Sequence, residues 1–425
     1  MREVYAKQLA DRSAAGRRRL AEELLAEAAK AADNPGDQYV LLAGAANAAK
    51  EAASLSLCTQ ASEALAASYG LDPTAMRADA ALNLKYSAAT TADAAANVLE
   101  ALDVVDSLVA ADDLVAATKL CAALQAASAA VPSLRPAVQQ KFRDVGTVRT
   151  EHDRVVPHLE KLKSSPADQS ANRAVGSYLC LARGQWAAGL PLLAVHGTDL
   201  VRLAATRDLA APAAAEAQAA VGDAWWQAGE VEVPSNQLAM RRRAAAWYAA
   251  ALSGNGLTGL NRTRVEKRIA AVPKPVSPLA TVVKAADAKW ISQAAKYTAS
   301  SSDKPPLPNL LDGRGGGYQN NGFAFHTQSE QDPFVVVDLT ALSAVTGLEI
   351  GNRRDDLQSR AKTLTVWTSR SPNGPWREIW RAPDVQKQWA VNLEEPVAAR
   401  FIKLGLRGTG TLHLFSVKVF GKKLE

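Results

Sequence analysis

Cysteine is nearly absent from this 425-residue chain, which carries only Cys58, Cys121 and Cys180. An odd number without CxxC or zinc spacing excludes a disulfide framework and a cysteine-based metal knuckle. All three fall in apolar helical stretches, where they read as buried small hydrophobes. Aromatic residues are scarce at 6%. Long apolar runs are missing as well: no window approaches 18 consecutive strongly apolar residues, so no membrane-spanning helix is expected. The N-terminus has no apolar core of a signal peptide, and the chain as written reads as lacking an export signal.

Catalytic signatures are equally lacking. No HExxH, GxSxG or P-loop motif occurs, and no GxGxxG precedes a strand-helix unit. Gly313-Arg314-Gly315-Gly316-Gly317 is glycine-rich but is not followed by Lys-Ser/Thr and a helix, so phosphate cradling is not expected there. His152 and His158 stand six apart with Pro157 between them, on different helix faces, and His196 and His413 read as isolated. Paired glycosidase carboxylates cannot be recognised by sequence spacing alone. The chain reads as non-enzymatic.

What is abundant is alanine, and it is unevenly spread: of 86 residues, 78 precede position 301. Two compositions are joined end to end. Charge divides the same way. The net charge is +6, yet from Pro273 onward there are 20 Lys+Arg against 14 Asp+Glu, and the residues before it balance at 29 each. The basic excess is local to the C-terminal third. The short runs Arg17-Arg18-Arg19 and Arg241-Arg242-Arg243 read as solvated helix faces, so no nucleic-acid partner is expected.

Before about residue 271, apolar residues recur at helical spacing between turn signals at Asp33-Asn34-Pro35-Gly36, Gly70-Leu71-Asp72-Pro73, Ser164-Ser165-Pro166 and Gly254-Asn255-Gly256. Helices of that length joined by short turns predict antiparallel pairs stacked as an irregular solenoid. Pro157 is expected to kink or end the helix it lies in. Val221-Gly222-Asp223-Ala224-Trp225-Trp226-Gln227-Ala228-Gly229 resembles the first helix of a tetratricopeptide repeat. Ala244 to Leu252 is similar to its second helix, after a long intervening loop, EVEVPSNQLAMRRR. Ser177 to Leu193, with Gly184, Trp186 and Gly189, is a weaker copy. The resemblance implies a scaffold or a surface for a protein partner.

The segment 272–278 reads as a proline-punctuated linker, and after it the periodicity falls to two. Short strands are expected at Phe334–Asp338, Leu348–Ile350, Leu364–Trp367, Trp376–Trp380, Phe401–Leu406 and Leu412–Phe420, an antiparallel β-sandwich. Ile402, Leu404 and Leu406 share one face, with Phe401 and Lys403 on the other. Six of the seven Phe and five of the nine Trp lie in this part, which predicts a ring-rich core. The domains are therefore drawn as an α-helical repeat domain at 1–271 and a β-sandwich at 279–425.

Within that sandwich, Leu311-Asp312-Gly313, His326-Thr327, Pro333 to Leu339, Val345 to Arg353, Ala399 to Leu404 and Val417 to Gly421 occur in order. Together they resemble the coagulation factor 5/8 type C, or discoidin, domain. The resemblance covers about 130 residues and implies a jelly-roll, galactose-binding-like fold, a binding role without catalysis, and a life outside the cytoplasm. In the fucose-binding lectins of this fold a histidine and two arginines converge on the sugar, and His326, Arg353 and Arg360 match them. Guanidinium forks and an imidazole suit hydroxyls and a ring oxygen. Asp356 and Leu357 stand where those lectins carry adjacent cysteines. The implied partner is a glycan or glycoconjugate, with the local positive charge favouring an anionic one. The alternative is a structural or scaffolding protein whose sandwich binds protein or lipid and in which the arginines clamp a loop, Asp355 pairing with Arg353 or Arg360. The family also often holds calcium near the Asp-Gly turn, which would place a structural ion at Asn309 and Asp312.

Overall fold

The computed structural model describes residues 5–89, 91–253, 256–273, 277–283, 285–303, 308–317, 322–372 and 374–424. Gly254 and Asn255 of one expected turn, 274–276 of the expected linker, and Asn373 lie outside them. By internal contacts the chain forms two compact units, Met1–Phe142 with Val276–Glu425, and Arg143–Pro275.

Fourteen α-helices are formed by the described residues: α1 (Ala6–Ala10), α2 (Ala14–Lys30), α3 (Pro35–Glu51), α4 (Leu55–Tyr69), α5 (Pro73–Leu82), α6 (Thr91–Ala110), α7 (Leu114–Ala127), α8 (Arg135–Ser164), α9 (Gln169–Ser177), α10 (Trp186–His196), α11 (Asp199–Leu209), α12 (Ala215–Glu230), α13 (Pro234–Ser253) and α14 (Gly259–Ala271). The turn residues read from the sequence are the residues that cap them. Asn34 accepts from the Asp37 amide and Pro35 opens α3, and Asp72 accepts from Thr74 and Ala75 ahead of α5. Gly70 takes the left-handed conformation that closes α4. Each satisfies backbone groups that the helix leaves orphaned.

In the first unit, buried Asn97 of α6 ties down the turn between α3 and α4, donating to Ala53 O at 2.7 Å and accepting from Leu55 N at 2.9 Å. All three cysteines are buried and free, and burial raises each thiol, Cys58 and Cys180 to about 12 and Cys121 to about 11. In the second unit α8 runs through Pro157 rather than ending there. The proline is exposed, as is Asp153 four residues earlier, so the carbonyl freed by the missing amide meets water. The long loop expected after Gly229 is also shorter than the sequence suggests. Pro234 opens α13, leaving three residues between the helices. Where α12 and α13 meet, a Cβ on Gly222 would stand 2.5 Å from the ring of Tyr248, so glycine is what lets these two helices approach.

The C-terminal third is an antiparallel β-domain in which the described residues form nine strands: β1 (Lys289–Trp290), β2 (Lys296–Ala299), β3 (Glu330–Gln331), β4 (Phe334–Asn352), β5 (Thr365–Ser369), β6 (Arg377–Arg381), β7 (Gln388–Gly405), β8 (Thr409–Gly410) and β9 (Leu414–Lys423). Phe334–Asp338 and Leu348–Ile350, expected as two strands, are the two ends of β4. Register shifts between Asp338 and Ser343 and between Val345 and Gly347 break the ladder in between. The first half of β4 pairs with β2 and the end of β7, and β7 continues into β5 and β6. The second half pairs with β9 and the beginning of β7. Two strands bent at bulges thus belong to both layers of the sandwich.

The core between the layers is mostly aliphatic, built on Val335, Val337, Val345, Leu348, Ile350, Ile402, Leu404, Val417 and Val419, with Phe325 and Trp389 the buried rings among them. The ring-rich core expected from composition is therefore corrected. The alternation along β4, β5 and β7 turns valine, isoleucine and leucine inward, and with them Phe334, Trp367 and Lys403 outward. The same unit joins this domain to its helices: Arg370, beyond β5, reaches Asp103 at 2.8 Å and Glu100 at 3.3 Å on α6.

Candidate functional site

One end of the sandwich collects the residues singled out in the sequence. The segment carrying His326 is held along the approach to β9, with Ala324 N donating to Leu414 O at 2.8 Å and Thr327 N to Leu412 O at 3.0 Å. This lays His326 against His413, ring centroids 5.2 Å apart and planes 21° from parallel. Phe323 flanks both rings, at 5.4 and 6.0 Å.

Arg353 follows β4, whose last residue pairs with Leu414 beside His413. Its side chain is 4% exposed. It donates from Nε and Nη2 to the two oxygens of Asp355, from Nη1 to His413 Nε2 at 2.7 Å, and lies over Phe323 at 5.2 Å. A guanidinium can only donate, so His413 accepts through Nε2 and carries its proton on Nδ1, a buried atom with no partner among the described residues. Burial, followed by the charges of Arg353, His326 and Arg360, pushes His413 down to about 3. The hydrogen bonds from Arg353 hold the Asp355 carboxyl below its usual range.

Asn352 fixes the frame around them. Its Oδ1 accepts the Arg353 amide at 2.8 Å, and its Nδ2 donates to Gln386 O at 2.9 Å and Gln358 O at 3.1 Å. The latter bond anchors the 3-10 turn Gln358–Ala361, which carries Arg360. Arg360 is exposed, and its guanidinium has no ion-pair partner among the described residues. His326 retains 20% of its side-chain exposure and donates from Nδ1 to Thr327 O at 2.7 Å, with Asp303 Oδ2 3.6 Å from the same nitrogen.

His326 and Arg353 therefore both contact His413, while Arg360 bears on it only through its charge. His413 is not isolated: His326 stacks on it and Arg353 donates to it. Nothing in its local sequence marks it, because the pairing of β4 with β9 brings it to Arg353. Of the two clamps open from the sequence, Asp355 pairs with Arg353 and leaves Arg360 unpaired.

Asn309 and Asp312 lie in one turn, where Gly315 N donates to Asn309 O at 3.0 Å. Asp312 Oδ1 accepts the Arg314 amide at 2.9 Å, and the Arg314 guanidinium stands 3.7 Å from Oδ2. A single carboxylate already engaged by its own turn is a poor match to a hard cation that takes six to eight oxygens. The glycines here serve packing: Gly313 and Gly315 have φ of 80° and 67°, and a Cβ on either would strike Trp290 or Phe415.

Residues 293–415 match the family described as F5/8 type C domain. No curated protein matches the chain as a relative. Among solved structures, similar ones include a fucolectin from striped bass (Morone saxatilis) serum, a fucose-binding module from Streptococcus pneumoniae, and the family 32 carbohydrate-binding module of NanJ from C. perfringens in complex with galactose. Identities are 21%, 25% and 17%, with TM-scores of 0.27, 0.28 and 0.27. The matches cover 32%, 33% and 31% of this chain and 48%, 100% and 98% of theirs. The chain thus spans about half the length of the fucolectin structure.

Proposed function

We propose that this is a non-catalytic carbohydrate-binding protein whose sandwich takes a sugar at the end bearing His326, Arg353, Arg360 and His413. The observation that carries the reading is the pairing on this end of Arg360, an exposed guanidinium with no ion-pair partner among the described residues, with His326, a partly exposed imidazole. Such a pair offers a guanidinium fork and an imidazole to vicinal hydroxyls. Arg353 has the other role: with its charge spent on Asp355 and its Nη1 on His413, it positions the His413 ring, while Asn352 anchors the turn that carries Arg360. The match to the F5/8 type C family over residues 293–415 supports a binding module here. The helices serve as a scaffold, with a surface open to a protein partner.

Calorimetric titration of the full chain with fucosides and galactosides tests this. One lost hydrogen bond to a charged group is worth about 1.5–3 kcal/mol, so Arg360→Ala weakens binding by roughly ten- to hundredfold. The scaffolding alternative rests on the same Arg353–Asp355 pair. It predicts no sugar binding by the wild-type chain and a loss of stability in Arg353→Ala as the sole effect.

A further inference from the structure

The outward face of the layer formed by β2, β4, β7, β5 and β6 carries the rings that the core does not use. Lys403 of β7 stands between Val336 of β4 and Trp367 of β5 in the ladder, with Glu378 of β6 beyond. Its ammonium lies 4.7 Å from the ring of Trp376, 4.8 Å from Trp367 and 5.7 Å from Phe334. Packing builds this group. A Cβ on Gly405 would stand 3.1 Å from Phe334 Cβ and 3.3 Å from the ring of Trp367, so a glycine at that position lets both close over the strand.

The face is open and its charge is not balanced. Phe334 is 36% exposed, and Trp367, Trp376 and Lys403 are partly exposed. Among the described residues no carboxylate forms an ion pair with Lys403. Glu378, the acid on the same ladder row, is taken by Arg407 and by Arg381 at 3.1 Å. Asp332, which acts on Lys403 only through its field, accepts the Gly408 amide at 2.6 Å. Arg407 adds a second cation over Trp367, at 5.6 Å. Burial lowers the Lys403 amine, the cost of holding a charge among rings without a counterion.

A ligand that fits must offer an apolar face the size of a ring and one carboxylate about 5 Å from it. A pyranose with its C6 oxidised does both, its C–H face on an indole and its carboxylate on the ammonium. We propose that this face is a second saccharide site, separate from the end loops and specific for uronic acid residues. Lys403 supplies the charge, and Trp367 and Trp376 supply the stacking surface.

The test uses the full chain, with oligogalacturonate as the probe and a neutral oligogalactoside of equal length as the control. Tryptophan fluorescence and calorimetry read the binding. The wild type is expected to bind the acidic oligomer at least ~10-fold more tightly than the neutral one, one unscreened charge contact being worth about that much. Lys403→Met and Trp376→Ala should each remove that preference, and Lys403→Arg should keep it. Three outcomes overturn the proposal. One is no binding of oligogalacturonate by the wild type. Another is binding that survives Lys403→Met and disappears in Arg360→Ala, which would place the acid at the end loops. The third is equal binding of polyglutamate, which would make the face a general anion surface. Failure of fucoside or galactoside binding alone bears on the end-loop site and leaves this result readable.

Discussion

The helical unit Arg143–Pro275 and the sandwich both set arginine or lysine against aromatic rings, and they close the arrangement differently. In the helical unit Arg243 lies over Trp186 at 4.8 Å and Trp247 at 5.8 Å, and it is neutralised by Asp208, whose side chain is 1% exposed and also accepts from Trp225 Nε1 at 2.7 Å. Arg264 and Arg268 share Asp223, which takes the Tyr248 hydroxyl at 2.7 Å as well. These cations have their counterions inside the fold. In the sandwich, Lys403 stands among three rings and Arg360 on an exposed turn, each without an ion-pair partner among the described residues. Asp208 and Asp223 tie helices together through these arginines, whereas Lys403 and Arg360 keep charges that no carboxylate among the described residues pairs with.

Removing a counterion from the closed side should cost most. Asp208→Ala leaves Arg243 and the Trp225 N–H unpaired in a buried site, and chemical denaturation should show a loss of about 3–5 kcal/mol. A loss below ~1 kcal/mol would mean that the helical cluster is as open as the sandwich. Arg353, a closed cation at the end proposed for sugar, should show an intermediate effect: Arg353→Met strands the buried Nε2 of His413 and is expected to cost about 1–3 kcal/mol.

That clamp also carries a pH dependence. With His413 lowered to about 3 from an ordinary value near 6.5, the unfolded chain takes up a proton that the folded chain refuses between those values. Stability is full above the unfolded value and falls as pH drops through the window, by up to about 1.4 kcal/mol per pH unit for one proton. His413→Gln keeps an acceptor for Arg353 and removes the titration, so its denaturation midpoint should vary less between pH 6 and 4 than that of the wild type. Equal slopes would show that His413 is not held neutral. The smallest effect is expected at Asp312: chelation should leave the melting temperature within about 1 °C, and a rise of several degrees with calcium would restore a cation to that turn.

Much of this contrast was legible in the sequence, and the rest was not for physical reasons. Asn34-Pro35 and Asp72-Pro73 announce helix starts because capping depends on side chains two or three positions away. Ile402, Leu404 and Leu406 announce an inward face because a strand alternates by two. The destination of the rings was misread, since a ring count carries no parity: Phe334 and Trp367 fall one residue out of step with Val335 and Val366 and so face water. His413 was missed because its role comes from strands that meet across 60 positions, Arg353 to His413. The Arg353–Asp355 pair was foreseen as one of two clamps, and only geometry decides which arginine remains available.

The most direct test is a glycan array probed with the full chain and with Arg360→Ala side by side, their melting temperatures measured in parallel. The account predicts that the wild type retains a defined set of sugars, that Arg360→Ala loses them by at least about tenfold, and that the two proteins melt together. An empty array for the wild type, or equal retention by Arg360→Ala, would contradict the claim that the unpaired arginine marks where a sugar binds.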